Sequence, residues 1–264
     1  MDFNNLYDLQ KKDYREILRV KATIAYNGAK FYGSQIQERE TTVNGTLQEV
    51  LFSLGIESKI EASGRTDRGV HASGQVIHFD LPAFWKDLKK LKEMMNNKLP
   101  RSLHVKKIQS VRDDFHARYS AKKRVYRYIL KEGESNPFFD EFITFVEKID
   151  VQLLKTAIKE FEGTHDFCGF YKKGSDNKTT IRTIYKTRVY QHKGLIVLYF
   201  EANGFLRSQI RLMVGMLLGI NSKKYKVEDL KEKLTCKPFL ESKQKISLRP
   251  APSNGLYLAK IFYS

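Results

Sequence analysis

The octapeptide Gly64-Arg65-Thr66-Asp67-Arg68-Gly69-Val70-His71 sets one carboxylate between two arginines, with a glycine on each side. Glycine permits tight backbone geometry, so Asp67 is expected at a turn rather than inside a strand. Neighbouring guanidinium groups favour the ionised carboxylate, and an ionised, positioned carboxylate suits nucleophilic attack. By itself an Asp-x-Gly also reads as an Asx turn that shapes a hairpin. Arg65 is expected to point into the same cleft as Asp67 and to hold or displace a nucleotide. Arg68 is expected on phosphate.

The rest of the chain supplies a setting for such a group. Its 264 residues carry 47 Lys and Arg against 30 Asp and Glu, a formal net charge of +17. Such a balance favours a polyanion, because each neutralised phosphate releases counterions. Phe115-His116-Ala117-Arg118-Tyr119-Ser120-Ala121-Lys122-Lys123-Arg124-Val125-Tyr126-Arg127-Tyr128 interleaves rings with basic residues. That pattern suits phosphates on Arg118, Lys123 and Arg124 while a base stacks on a ring such as Tyr126. Arg207 and Arg211 lie four apart beside the apolar stripe of a helix, where Arg211 is placed to partner a buried carboxylate.

Other chemistries lack support. The six histidines show no metal-ligand spacing, and no phosphate-binding loop, dinucleotide fingerprint or nucleophile elbow occurs. Cys168 and Cys236 stand far apart, which suggests neither a disulfide framework nor a zinc site, and hence a reducing cytoplasm. Met1 to Arg15 is too polar for a signal peptide, and the longest apolar run, Leu212 to Ile220, is too short to span a bilayer. A folded, membrane-free chain of 41% hydrophobic residues is expected.

Elements must position these groups. Alternation predicts strands over 19–26, 59–63, 74–80, 105–111, 124–130, 184–190, 195–202 and 256–263. Helical spacing predicts a helix from Val43 capped by Thr42, and others over 85–98, from Asp150 to Phe161, from Leu206, and over 227–234. The polar segment 172–180 reads as a loop able to contact phosphate. Strands, a helix, more strands and a second helix recur in each half. This suggests a lead-in over 1–18 and two similar α+β units over 19–112 and 113–264.

These residues together resemble the tRNA pseudouridine synthase A family. The octapeptide resembles its catalytic loop, and Gly74 to Phe79 the strand that follows. Further similarities run through 115–128, Gly163 to Phe167 with Arg182 to Ile184, Phe205 to Arg207 with Arg211 and Gly215, and Gly255 to Leu258. The resemblance implies the pseudouridine synthase fold, an α+β arrangement of mostly antiparallel sheets flanked by helices with a cleft between the units. It implies isomerisation of uridine to pseudouridine in the anticodon stem-loop of tRNA by a homodimer, with no cofactor and no metal. By the same resemblance Asp67 is the catalytic aspartate and Tyr126 the ring that stacks on the base. Arg211 is the partner of the aspartate, and Arg65 takes the place of the flipped base. Asn27 and Ser34 depart from the family, which commonly has aspartate and tryptophan there. They are expected to affect packing or the RNA surface.

Two other readings fit parts of the pattern. A non-catalytic RNA-binding module would keep the charge and the rings. A hydrolytic nucleosidase would need a second acid, and none flanks Asp67 within the loop.

Overall fold

The computed structural model describes residues 17–172, 174, 178–236 and 247–263. Most of the expected lead-in, residues 1–16, and part of the 172–180 loop lie outside them. The chain forms two compact units. One comprises Met1–Arg68, Ala72–Ala121 and Tyr263, as far as these residues are described; the other comprises Gly69–His71 and Lys122–Phe262.

In the first unit, strand β1 (Leu18–Tyr26) pairs antiparallel with both β3 (His71–Leu81) and β4 (Leu103–Ser110), and β2 (Glu61–Ala62) pairs with β3. Every second residue of β1 from Val20 to Tyr26 is buried, the period expected of a strand with one face on a core. Helix α1 (Val43–Ser53) buries Val43, Leu47, Val50 and Leu51. The Thr42 hydroxyl accepts from the Gly45 amide, as its cap position predicts. Helix α2 (Leu88–Lys98) buries Leu91 and Met95 against β4, and Asn96 hydrogen-bonds both the amide and the carbonyl of Val105. It starts three residues later than the apolar spacing suggests. Asp87 accepts from the amides of Lys89 and Lys90, and Trp85 instead donates to the Leu54 carbonyl.

In the second unit the strand order is β10-β5-β9-β8-β7. These are Leu256–Phe262, Lys123–Glu132, Leu195–Ala202, Ile181–His192 and Gly163–Asp166, all paired antiparallel. β6 (Thr144–Val146) adds to β5 in parallel. Helix α3 (Val151–Lys159), capped by Asp150, packs on β8 and on α4 (Gln209–Asn221). α4 is buried on nearly all sides, which is why its sequence reads as an apolar run. It begins after Leu206, whose amide donates to the Gln209 side chain in a preceding turn. α5 (Val227–Leu234) completes the described helices. An α+β fold of mostly antiparallel strands is thus what the chain adopts.

One expectation fails. Cys168 and Cys236 are joined in a disulfide, with Cα atoms 6.1 Å apart across a separation of 68 residues. The pairing arises because the end of α5 returns to the turn after β7, a tertiary approach that cysteine spacing cannot reveal. The Asp166 carboxylate lies within 4.8 Å of both sulfurs. Bonded to each other, those sulfurs are not available as a thiolate ligand pair.

Candidate active site

Asp67 sits half-buried in the first unit, in a segment held from one side by three groups. The Ser34 amide donates to the Thr66 carbonyl at 3.2 Å, and the Thr66 amide donates to the Ser34 hydroxyl at 2.9 Å. The hydroxyls of Tyr26 and Thr66 share a hydrogen bond of 2.8 Å inside the core. Ser34 is 1% exposed and Thr66 7%. The backbone entering Asp67 is therefore fixed by main-chain and buried side-chain contacts, so neither partner can move alone. Ser34, expected to act on packing or on the RNA surface, lies in the interior and holds the segment next to the carboxylate. Asn27 accepts from the Ala29 amide and caps a short 3-10 turn at Gly28–Lys30.

The arginines of the octapeptide diverge in environment. Arg65 is exposed. The Arg68 guanidinium lies 4.1 Å from the centre of the Tyr32 ring, a cation–π distance that orients the side chain without neutralising it. In the same unit Arg118 stacks over Tyr119 at 5.6 Å, and Tyr119 is 76% exposed. The turn carrying them is shaped by His116, whose Nδ1 accepts from the amides of Arg118 and Tyr119. A basic side chain over an exposed ring offers both halves of a nucleic-acid contact.

In the second unit Tyr126 lies on β5, 8% exposed, with its ring edge-on to Phe205 at 5.3 Å. Arg211 lies on α4, and its Nε donates to the Ala251 carbonyl at 2.7 Å while the Ala251 amide donates to the Arg211 carbonyl at 2.8 Å. The guanidinium is thus aimed by the backbone at Ala251. That backbone can cross α4 only because residue 215 is glycine. A Cβ there would overlap the Arg249 carbonyl oxygen. Lys123 pairs with Glu201 at 3.1 Å and lies over Tyr185, and Arg124 donates to the Asn203 carbonyl at 2.9 Å. Arg207 is exposed, and its carbonyl accepts from the Lys172 amide.

Sequence reasoning gave no role to Tyr26 or Ala251, and it named Ser34 without the contact to Thr66, since each acts through a contact made only after folding. The charge of Arg211 was legible; the carbonyl that aims it was not.

The family model for tRNA pseudouridine synthase matches residues 22–120 and 157–264. The chain belongs to the tRNA pseudouridine synthase family, isomerases that act on tRNA. It is 40% identical to tRNA pseudouridine synthase A of Wolinella succinogenes over 242 residues, covering 92% of this chain and 93% of that one. The proteins of the same name from Streptococcus mutans and Campylobacter jejuni subsp. doylei are 39% and 37% identical, each across 94% of this chain and 99% and 100% of theirs. Among the described residues no helix is long and apolar enough to cross a membrane.

Proposed function

We propose that Asp67 is the reacting carboxylate in the conversion of uridine to pseudouridine in the anticodon stem-loop of tRNA. The target nucleotide leaves its stack to be reached, which costs a few kcal/mol and is offset by stacking on Tyr126 and by phosphate contacts. Asp67 then acts on the nucleotide, the bond from C1′ to N1 of uracil breaks, and the base turns. A bond from C1′ to C5 forms, C5 loses its proton and N1 gains one, so the product has the mass of the substrate. Arg211 is the cationic partner of Asp67, and Arg65 fills the gap left by the extruded base. Arg68, Arg118, Lys123, Arg124 and Arg207 contact the backbone of the RNA. The enzyme works as a homodimer in the cytoplasm, where its substrate is.

The observation that carries this reading is the clamp on Thr66, which presents one carboxylate from a backbone with little freedom. Positioning of that kind is what a reacting group needs and a purely binding loop does not. The test is chemical mapping of pseudouridine in tRNA incubated with the wild type and with Asp67→Asn. Loss of all modification in the variant, with no free uracil from the wild type, is expected. Pseudouridine formed by Asp67→Asn would reject the assignment, and free uracil would indicate a hydrolase.

A further inference from the structure

His71 closes the octapeptide, yet it is 1% exposed and belongs to the second unit, whereas Asp67 belongs to the first. Its ring stacks on Tyr257 at 4.6 Å and 19° and lies 5.6 Å from Phe142. Nε2 is 2.8 Å from the Glu141 carbonyl oxygen, and because a carbonyl only accepts, the proton is on Nε2. The box around the ring is itself fastened. The Tyr257 hydroxyl donates to the Phe142 carbonyl at 2.8 Å, and Asn254 donates to the carbonyls of Asp140 and Ile143 at 2.6 and 2.9 Å. Gly69 enters this region at a φ of +78°, with the Ser253 side chain where a Cβ would stand. Val70 between them is 3% exposed.

We infer that His71 is a positioning residue for Asp67: it anchors the C-terminal end of the catalytic segment, as Thr66 anchors the other. The inference rests on the proposed role of Asp67. Gly69 to His71 are fixed within the second unit, so the chain leaving Asp67 is held from two residues on. Buried inside an aromatic box with Nε2 on a carbonyl, the imidazole is placed to hold the chain rather than to exchange protons with a substrate. A reacting group displaced by about 1 Å loses on the order of a hundredfold in rate. Burial lowers the pKa of His71 and outweighs the backbone hydrogen bonds to Glu141 and Asn254, which raise it.

The experiment uses the full chain and unmodified tRNA. His71→Gln keeps an amide donor for the Glu141 carbonyl and loses the ring; His71→Phe keeps a ring and loses the donor. Single-turnover pseudouridine formation and tRNA Kd are measured on each, normalised to the folded fraction from circular dichroism. The expected result is a rate per folded molecule at least about tenfold below wild type in both variants, with Kd within about twofold. Wild-type rates in both, or a defect wholly in Kd, would overturn the inference. If Asp67→Asn abolishes modification while both His71 variants run at full rate, only the positioning role fails. If Asp67→Asn remains active, the catalytic reading fails with it.

Discussion

Ser34 and Thr66, 32 residues apart, hold each other by two hydrogen bonds, each donating its amide to an oxygen of the other. The bond from the Thr66 amide depends on the Ser34 hydroxyl. In Ser34→Ala that buried amide loses its acceptor, a cost of about 1–3 kcal/mol. The expected outcome is a lower urea midpoint and a slower single turnover, with tRNA affinity nearly unchanged. An unaltered rate per folded molecule would show that Ser34 serves stability alone.

Gly215→Ala tests how Arg211 is aimed. Alanine gains about 1 kcal/mol of helix propensity over glycine. Its Cβ, however, overlaps the Arg249 carbonyl oxygen, and such overpacking costs about 1–3 kcal/mol. Overpacking wins, because the obstacle is backbone rather than a flexible side chain. Chemical denaturation should show net destabilisation. Activity should fall further than stability, since the displaced segment includes the Ala251 carbonyl that receives Arg211 Nε.

The pH dependence of stability follows from two buried histidines. His71 and His78 both have pKa values held below 6.5, with burial the largest cause in each; His116 and Arg19 add to the effect at His78. The His78 Nδ1 also accepts from the Ala117 amide, which requires that nitrogen unprotonated. The unfolded chain therefore binds protons near pH 6.5 more readily than the folded one. Stability from this source is complete above that pH and is lost as pH falls toward the folded values. Urea midpoints measured from about pH 7.5 down to about pH 5 should decline, and His78→Asn should flatten the decline.

The Cys168–Cys236 bond closes a separation of 68 residues, and Cys168 is exposed. Such a crosslink stabilises by about 2–4 kcal/mol, mainly by restricting the unfolded chain. Adding a thiol reductant should lower the denaturation midpoint of the wild type. Cys168→Ser should start at the lower midpoint and no longer respond. Neither cysteine is among the residues proposed to act on the RNA, so tRNA modification should survive reduction.

What could be read from the chain alone was local. Thr42 and Asp150 cap helices through amides three residues on, so their roles show in a short window. The apolar stripe of α1 and the α+β class follow from periodicity, and the residue types of the octapeptide suggested the role proposed for Asp67. Folding decided what distant segments contribute. The strands Thr144–Val146 and Gly163–Asp166 exist through their partners β5 and β8 rather than through any pattern of their own. The disulfide, the Ser34 clamp and the carbonyl at Ala251 are meetings of segments remote in sequence. Asp67 could be named from its neighbours in the chain. What fixes the backbone around it is a serine 33 positions earlier and a buried hydroxyl at Tyr26, because hydrogen bonds act over about 3 Å of space, whatever the separation in sequence.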